Sequence, residues 1–411
     1  MAEPIVSLMD PEFTHDPIGA YGRLRENSPL VRIGNPGAPP VWLVTRCDDV
    51  KAALSDPRFV TDYSNVPGHH GLGVVDQMLA VYDLPEEFRE EFRGYANNMM
   101  FVDGKDHARL RRLVTPAFAV RRIKALRPGM EEISAQLLDT LAAKEGGDLL
   151  EEYSSPLTGT VICELIGIDK ADQPHMRKLM NDYANGDVVS SAQGMVECAK
   201  ELIARRRIEP AEDMISTLVR TRDESGDQLS EAEMIAMVLL LVWAGHHSTS
   251  HFIPNAVLTL FDHPEQLERL RAAPEFLPHA IDELMRLANP VPLASPRYAT
   301  EDVEFAGVQV RRGEALTGSY LSANYDPRVF PDPERCDLGR EMKRGQGHVS
   351  FGAGPHYCVG AALAKLESEV ALGDLLLNRD GLELAVKREE LEYTDSTLGV
   401  HLLARLPVRL K

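Results

Sequence analysis

A cysteine lies in a glycine-rich segment, FGAGPHYCVG (Phe351–Gly360), directly before a stretch that is typical of a helix. The glycines allow tight turns, so that backbone N–H groups can converge on one point. The partial positive charge at a helix N-terminus favours the thiolate form of a cysteine such as Cys358. Three roles are open to this residue: a buried structural thiol, a nucleophile with His356 as its base, or a metal ligand.

The other cysteines bear on these roles. The chain has five cysteines, and the remaining four, Cys47, Cys163, Cys198 and Cys336, are far apart in the sequence. The odd number and the lack of a C-x-x-C pair argue against a disulfide framework and against a zinc finger. The G-x-G of the segment also lacks the strand and the further glycine of a dinucleotide-binding loop. A lone thiolate ligand would suit haem iron, because the porphyrin supplies four nitrogen ligands.

The segment resembles the cysteine loop of the cytochrome P450 family, the haem-thiolate monooxygenases, whose pattern is F-G-x-G-x-[HR]-x-C-x-G. Every fixed position is filled, by Phe351, Gly352, Gly354, His356, Cys358 and Gly360. Three further motifs occur in the order of the family, so the resemblance covers almost the whole chain. It implies that Cys358 is the axial thiolate ligand of haem b, where electron donation to iron favours O–O cleavage.

One of these motifs is E-x-x-R, Glu283 to Arg286, whose spacing puts both side chains on one helix face. Alone, such a pair is typical of a surface ion pair. The segment 323–340 follows at the spacing of the family, and the resemblance therefore implies a structural pair that supports the cysteine loop. Cys336 stands in this segment where the family often has an aromatic residue, which indicates a packing role.

A second motif is H-x-x-x-R, His107 to Arg111, which also places two side chains on one helix face. Each residue alone fits an ordinary surface base. Haem carries two propionates, which need cationic or hydrogen-bonding partners. The resemblance implies that His107 and Arg111 bind these propionates together with Arg297 and His356.

The third motif lies on a long predicted helix, from about 231 to 262. Ser230 and Glu233 fit a capping box at its start. The helix is apolar nearly all round before Gly245, which predicts a position in the centre of the protein. Pro254 removes one backbone donor and is expected to bend the helix locally.

Where this helix crosses the haem, the family has the pattern A/G-G-x-[DE]-T-[TS], and this chain has AGHHST at 244–249. The first two residues fit, since small side chains leave room for oxygen. His247 stands in place of the acid, Ser248 in place of the threonine, and Thr249 one step further. We expect Ser248, His247 and Thr249 to act in proton delivery, because hydroxyl and imidazole groups relay protons. His247 could instead turn outward or pack.

The charge distribution bears on possible partners. The chain has 411 residues and a net charge of −19, which argues against nucleic-acid binding. Residues 105–124 hold seven lysines and arginines against one acid, as in a docking face for an anionic partner or in a solvated helix face. The resemblance implies a small acidic ferredoxin with its ferredoxin reductase as the electron donor. The longest apolar run, 235–245, is too short to cross a membrane, and no signal peptide is visible, so we expect a cytoplasmic protein.

The pattern of elements predicts a mainly α (α+β) fold. A strand is expected at 40–46 and a short helix directly after it, whereas 61–100 has the composition of a long irregular loop region with short helices. Helical patterns dominate 105–290, and strand-like alternation with turn glycines follows. We predict one cytochrome P450 domain spanning 1–411, with a small β-rich region and with haem between the long central helix and the helix after Cys358.

The resemblance implies a monooxygenase that uses O2 to hydroxylate or epoxidise a bulky, mostly hydrophobic small molecule, such as a polyketide or macrolide of secondary metabolism. Substrate contacts are expected from the segments 61–100, 170–195 and 395–399 and from Ala244, Leu293, Ala294 and Leu398. His247 motivates two alternatives. One is an atypical haem-thiolate enzyme for coupling, desaturation or peroxide-driven oxidation, and the other is a haem-binding recruitment module with little catalysis.

Overall fold

The computed structural model describes residues 5–34, 39–69, 86–96, 98–184, 186–222, 226–342, 347–379, 381–394 and 402–410. The chain divides into two compact units. The first unit comprises Met1–Gly71, His251–Cys358 and Leu376–Val408, and the second comprises Leu72–Ser250, Val359–Leu375 and Arg409–Lys411.

Helices form most of the described chain. They are α1 (Pro11–His15), α2 (Pro17–Asn27), α3 (Cys47–Ser55), α4 (Glu86–Ala96), α5 (Gly104–Val114), α6 (Val120–Ala125), α7 (Arg127–Ala143), α8 (Ser155–Ile166), α9 (Gln173–Ala184), α10 (Val188–Ile208), α11 (Met214–Arg220), α12 (Glu231–Asp262), α13 (Pro264–Ala272), α14 (Leu277–Leu287), α15 (Tyr320–Asn324) and α16 (Ala361–Leu376). Across the described ranges, none of these helices combines the length and the apolar character that a bilayer crossing requires.

The strands are short. They are β1 (Leu30–Ile33), β2 (Val41–Val44), β3 (Phe59–Val60), β4 (Gly146–Asp148), β5 (Arg297–Ala299), β6 (Val303–Phe305), β7 (Val308–Val310), β8 (Ala315–Gly318), β9 (Glu383–Leu384) and β10 (Pro407–Arg409). A five-stranded sheet in the first unit has the order β1-β2-β8-β5-β3, with β2 and β8 parallel and the other neighbours antiparallel. Strands β6 and β7 form a hairpin. The predicted mainly α (α+β) class is confirmed.

Strand β2 shows why this sheet forms a core. Successive side chains of a strand point to opposite faces. Trp42 and Val44 therefore pack into one apolar cluster and Leu43 into another. The first cluster also contains Val349, two residues before the cysteine loop. The start of the loop is thus anchored in the core of the first unit.

Helix α12 begins and continues as its sequence predicts. The Ser230 amide donates to the Glu233 carboxylate (2.7 Å), and the Glu233 amide donates to the Ser230 hydroxyl (3.2 Å), which is the predicted capping box. The segment from Met234 to Val242 is buried, with Leu239 half-buried. The helix is therefore held by packing over most of its circumference, and it continues through Pro254.

Candidate active site

The cysteine loop, Phe351–Gly360, closes on itself. Gly352 and Gly354 have φ angles of 73° and 68°, a left-handed conformation that favours glycine. A Cβ atom on Gly354 would lie 2.6 Å from the carbonyl oxygen of Leu54, so a larger residue would displace the loop. The amide of Cys358 donates to the carbonyl oxygen of Phe351 (2.9 Å). The tight turn expected from the glycines is present.

The environment of Cys358 differs from that of the other cysteines. All five lie in the described part of the chain, and Cys358 alone is exposed. Burial raises the pKa of Cys47 to about 11 and the pKa values of Cys163 and Cys336 to about 12, so these are inert packing thiols. Cys198 is half-buried, and burial raises its pKa as well. The fold therefore presents one thiol for binding.

Hydrogen bonds hold the residues that precede the loop. The Asn324 side chain accepts from the amide of Val349 (2.9 Å) and donates to the hydroxyl of Ser350 (2.9 Å). The Ser350 hydroxyl donates in turn to the carbonyl oxygen of Met285 on α14 (2.7 Å). These bonds fix the approach to Phe351 independently of any ligand.

The Glu283–Arg286 pair is buried, with the side chains 1% and 0% exposed. Arg286 donates two hydrogen bonds of 2.8 Å to the carboxylate, and it also donates to the carbonyl oxygens of Asn324 (2.7 Å) and Pro333 (2.8 Å). Arg340 also forms an ion pair with the Glu283 carboxylate, with 3.0 Å between its Nε and the Oε1 of Glu283. Because Arg286 and Val349 both bond to Asn324, the pair and the cysteine loop share one hydrogen-bonding network.

Two further predicted haem-binding residues lie in the first unit. Arg297 is buried and donates to the hydroxyl of Thr61 (2.6 Å), and His356 is half-buried. Burial raises the pKa of Tyr320 to about 12, while the charges of Arg297 and Cys358 act on it in opposite directions. Arg297 and Cys358 thus lie close to the same phenol.

His107 and Arg111 lie in the second unit, on the same face of α5. His107 is buried and Arg111 is half-buried. Arg109, from the same basic segment, forms ion pairs with Asp227 and with Glu233 of the α12 capping box. The two predicted propionate ligands are therefore placed together, and Arg109 serves a structural purpose.

The AGHHST segment is helical throughout. A Cβ atom on Gly245 would lie 2.7 Å from Cδ1 of Ile162 on α8, so packing also requires a small residue there. The hydroxyl of Ser248 donates to the carbonyl oxygen of Ala244 (3.1 Å), and Ser248 is half-buried. Thr249 is buried.

The adjacent histidines have different surroundings. The ring nitrogens of His246 lie 2.9 Å from the Thr158 hydroxyl and 3.4 Å from the Ser155 hydroxyl, both on α8. Burial, with a smaller effect of His247, lowers the pKa of His246 to about 4. His247 is exposed, yet the surrounding protein removes enough hydration to lower its pKa too. Both rings are therefore neutral at pH 7.

A buried carboxylate, Glu367, lies on α16 of the second unit with 1% exposure. Burial raises its pKa well above the ordinary value, and the Thr249 hydroxyl is near enough to lower it in part. Neither carboxyl oxygen makes a hydrogen bond of ordinary geometry with a described residue. Glu367 is thus a buried carboxyl group, with a pKa raised by burial, beside a hydroxyl on α12.

A sequence model described as Cytochrome P450 matches residues 170–382. Cytochrome P450 107B1 of Saccharopolyspora erythraea is 39% identical over 410 residues, which cover 99% of this chain and 98% of the relative. The chain belongs to the cytochrome P450 family.

Further relatives of this P450 support the same conclusion. Mycinamicin IV hydroxylase/epoxidase of Micromonospora griseorubida is 37% identical over 392 residues, 92% of each chain. The solved structure of cytochrome P450 PksS, from the bacillaene polyketide synthase of Bacillus subtilis 168, has a TM-score of 0.87 at 33% identity and covers 99% of this chain and 100% of that one. The predicted cytochrome P450 fold is confirmed.

As a cytochrome P450, the protein is a monooxygenase whose cofactor is haem with an axial cysteine thiolate. The residues fit this group. Among the described residues, no three His, Cys, Asp or Glu side chains form a ligand set for a metal ion. Haem iron needs only one side-chain ligand such as the exposed Cys358, because the porphyrin supplies four nitrogen ligands. The buried bases His107 and Arg297 have the chemistry that propionates require.

The positions predicted to contact substrate are only partly described. Ala244 and Leu293 are half-buried, whereas Ala294 is buried in the apolar cluster of the first unit. Leu398 lies outside the described residues, as does the whole of 395–399. Within the predicted segment 61–100, residues 70–85 and 97 also lie outside them.

Sequence reasoning missed four residues of this P450 that the structure places beside predicted residues within the same unit. Asn324 and Arg340 lie in the segment already recognised at 323–340, but nothing in their spacing indicated their partners. Tyr320 had no local signal. Glu367 did have one, since a carboxylate among apolar residues of AALAKLESEVALGDLL is unusual for a buried helix.

Glu367→Gln is expected to change how stability depends on pH. The raised pKa means that the folded state keeps a proton that the unfolded state has already released. The contribution of Glu367 to the free energy of unfolding is therefore greatest below the pKa of this residue in the unfolded state. As pH rises towards its pKa in the folded state, this contribution falls by at most about 1.4 kcal/mol per pH unit. Urea unfolding at several pH values should show this decline in the wild type and a flatter profile in Glu367→Gln.

Glu275→Gln, at an exposed carboxylate, provides the matched control. Its profile should run parallel to that of the wild type. Parallel profiles for Glu367→Gln and the wild type would show that Glu367 is ionised in the folded protein.

Proposed function

We propose that this cytochrome P450 hydroxylates or epoxidises a bulky, mostly hydrophobic small molecule of the polyketide or macrolide type in secondary metabolism. The observation that carries the proposal is the single exposed cysteine, Cys358, in a braced glycine turn before α16. Relatives with the names mycinamicin IV hydroxylase/epoxidase and polyketide synthase P450 support the substrate class.

Cys358 would hold the haem iron through its thiolate. His107, Arg111, Arg297 and His356 would hold the two propionates. His107 and Arg297 are buried, and both carry N–H donors of the kind that a propionate oxygen accepts. Bound haem supplies oxygen activation, and these side chains fix its orientation.

Proton delivery is assigned to α12. Ser248 holds its hydroxyl on the Ala244 carbonyl, where it can exchange donor and acceptor roles. Thr249 follows Ser248 in the sequence, and its hydroxyl lies near the buried carboxyl group of Glu367, whose pKa is raised by burial. His247 serves as a neutral relay, because its lowered pKa keeps the ring uncharged at pH 7.

A small acidic ferredoxin with its ferredoxin reductase is the proposed electron donor, with O2 as the second substrate. The docking surface, here called the basic face, consists of exposed cations of the segment 105–124: Lys105, Arg112, Arg121 and Lys124. Arg109 does not belong to it, because its guanidinium is held by Asp227 and Glu233. A cluster of positive charges on a protein with a negative net charge attracts an acidic partner and steers its approach.

Reversing charge on the basic face is expected to weaken reduction by ferredoxin. Arg112→Glu with Arg121→Glu should raise the KM for ferredoxin by about tenfold at low salt, with less effect at high salt. Steady-state reduction at a series of ferredoxin concentrations measures this. Lys170→Glu, an exposed cation of the same unit outside the face, should leave KM unchanged. An equal loss in both variants would place the docking surface elsewhere.

We also propose that residues 1–411 act as one catalytic domain in the cytoplasm, without binding nucleic acid. The net charge of −19 supports the last point.

The proposed function is tested first by the carbon-monoxide difference spectrum of the reduced holoprotein. A red-shifted Soret band typical of an iron–thiolate bond is expected, and a folded, haem-loaded sample without this band would contradict the assignment. Incubation with macrolactones, ferredoxin, reductase, NADPH and O2 should then yield a product that gains one oxygen atom. If no macrolactone and no linear polyketide gave such a product, the proposed substrate class would be wrong.

A further inference from the structure

A cleft of about 220 Å³ lies within the second unit, lined by residues of α7, α8, α9 and α12 and of the segment before α8. On α12 the lining residue is His246, on the side that packs against α8, and not Ser248 or Thr249. Sites for drug-sized ligands usually have volumes of roughly 300–1,000 Å³. The cleft therefore suits a molecule smaller than a macrolide.

Two residues of opposite charge line the cleft. Arg177 on α9 is half-buried and donates one hydrogen bond to the hydroxyl of Thr160 (2.7 Å), and it forms no ion pair with a described residue. Its guanidinium therefore keeps N–H groups in the fork arrangement that binds a carboxylate. Glu151, just before α8, is exposed and supplies a carboxylate to the same cleft.

The charges of the cleft indicate the charge of its ligand. A molecule with a single negative charge would be attracted by Arg177 and opposed by Glu151, and a molecule with a single positive charge would meet the reverse. A molecule that carries both charges matches both residues, because complementary charges give specificity.

The ring of His246 adds a hydrogen-bond acceptor. Its Nδ1 lies 2.9 Å from the Thr158 hydroxyl, which also lies 2.9 Å from the carbonyl oxygen of Ser154. The hydroxyl has one hydrogen, and the carbonyl can only accept, so donation to this carbonyl makes Nδ1 the donor to Thr158. In the neutral ring, Nε2 is then the acceptor, and its contact with the Ser155 hydroxyl is a long one of 3.4 Å. A donor group of a ligand can use this nitrogen.

The remaining lining provides space and an apolar surface. A Cβ atom on Gly159 would lie 3.5 Å from Cγ of Arg177 and 3.6 Å from Cε1 of His246. The missing side chain at Gly159 thus lets both residues border the same space. Leu137 on α7 and Met180 on α9 supply aliphatic groups beside them. A short hydrocarbon chain can pack against these groups.

We propose that this cleft is a second small-molecule site, which binds a zwitterionic aliphatic amino acid. Arg177 holds the carboxylate, Glu151 and the Nε2 atom of His246 hold the ammonium group, and Leu137 and Met180 contact the carbon chain. The inference goes beyond the proposed function and does not depend on it, because neither the cysteine loop nor the residues assigned to proton delivery line the cleft.

The test uses two isomers, L-leucine and 6-aminohexanoate, which carry the same two charges on adjacent carbons or at opposite ends of a chain. Hexanoate and hexylamine, which keep one charge each, are the controls. Isothermal titration calorimetry of the holoprotein measures the dissociation constants. At least one isomer should bind with a millimolar or lower Kd, roughly tenfold tighter than either control. The preferred isomer shows how far apart the two charges of the ligand are held.

Substitutions locate the site. Arg177→Gln should weaken binding of the preferred isomer by about tenfold, and Glu151→Gln by about threefold because position 151 is exposed. Lys178→Gln, at the next residue of α9, is the matched control and should leave Kd unchanged, because Lys178 is exposed and does not line the cleft. If Arg177→Gln does not fold, Arg177→Lys replaces it, because lysine lacks the fork and should also weaken binding.

Three results would overturn this inference: no binding of either isomer, binding of hexanoate or hexylamine as tight as that of the isomers, or equal losses in the Arg177 and Lys178 variants. With a normal carbon-monoxide spectrum, any of them leaves the proposed function intact. Conversely, a missing thiolate band with selective binding of an isomer would remove the proposed function and retain this site.

Discussion

Cys358→Ser is expected to abolish the thiolate-type carbon-monoxide spectrum and to lower NADPH-dependent product formation by at least ~10³-fold, about 4 kcal/mol in the activation barrier. A serine hydroxyl does not supply the electron density of a thiolate. The variant should fold, because position 358 is exposed and its backbone amide still bonds to Phe351. Spectra of reduced samples and product yields measure the two effects.

Cys198→Ser is the matched control, because Cys198 is also a free and incompletely buried thiol. It should retain the thiolate band and the product yield of the wild type. If Cys358→Ser kept the band, another cysteine would have to be the ligand, and the assignment of the loop would be wrong.

Arg286→Ala is expected to destabilise the protein by about 3–5 kcal/mol. The substitution leaves the buried Glu283 carboxylate with Arg340 as its remaining guanidinium partner, and it leaves the carbonyl oxygens of Asn324 and Pro333 without this donor. We expect poor haem retention as well, because Asn324 also holds Val349 before the cysteine loop. Urea unfolding and the ratio of Soret to protein absorbance measure these effects.

The exposed pair Arg23–Glu12 supplies the comparison for Arg286→Ala. Both side chains are at least half exposed, and Arg23→Ala should cost less than about 1 kcal/mol because water screens such pairs. If both variants lost a similar amount of unfolding free energy, burial would not increase the contribution of the Glu283–Arg286 pair to stability.

Local patterns carried the sequence predictions that the structure bears out. The capping box of Ser230 and Glu233 depends on residues three apart, and the helix it starts runs to Asp262 as predicted. The strand predicted at 40–46 is present at Val41–Val44. Such features are set by neighbouring residues, so one sequence is enough to predict them.

Partners that are distant in sequence could not be predicted in the same way. Arg340 meets Glu283 across 57 residues, and Asn324 meets Val349 across 25. Glu367 and Thr249 approach each other from two different helices. No spacing rule links such positions, because tertiary packing alone decides which side chains meet. The sequence was enough to predict Cys358 as the ligand, but it could not show which residues hold the cysteine loop in place.

The bracing of Val349 and Ser350 by Asn324 has a consequence for assembly. All of these bonds join protein atoms, so the two residues that lead into the loop are held without any contribution from a porphyrin. We therefore expect this entry to the loop to be ordered in the apoprotein. The amide of Val349 should consequently exchange its hydrogen slowly even in apoprotein.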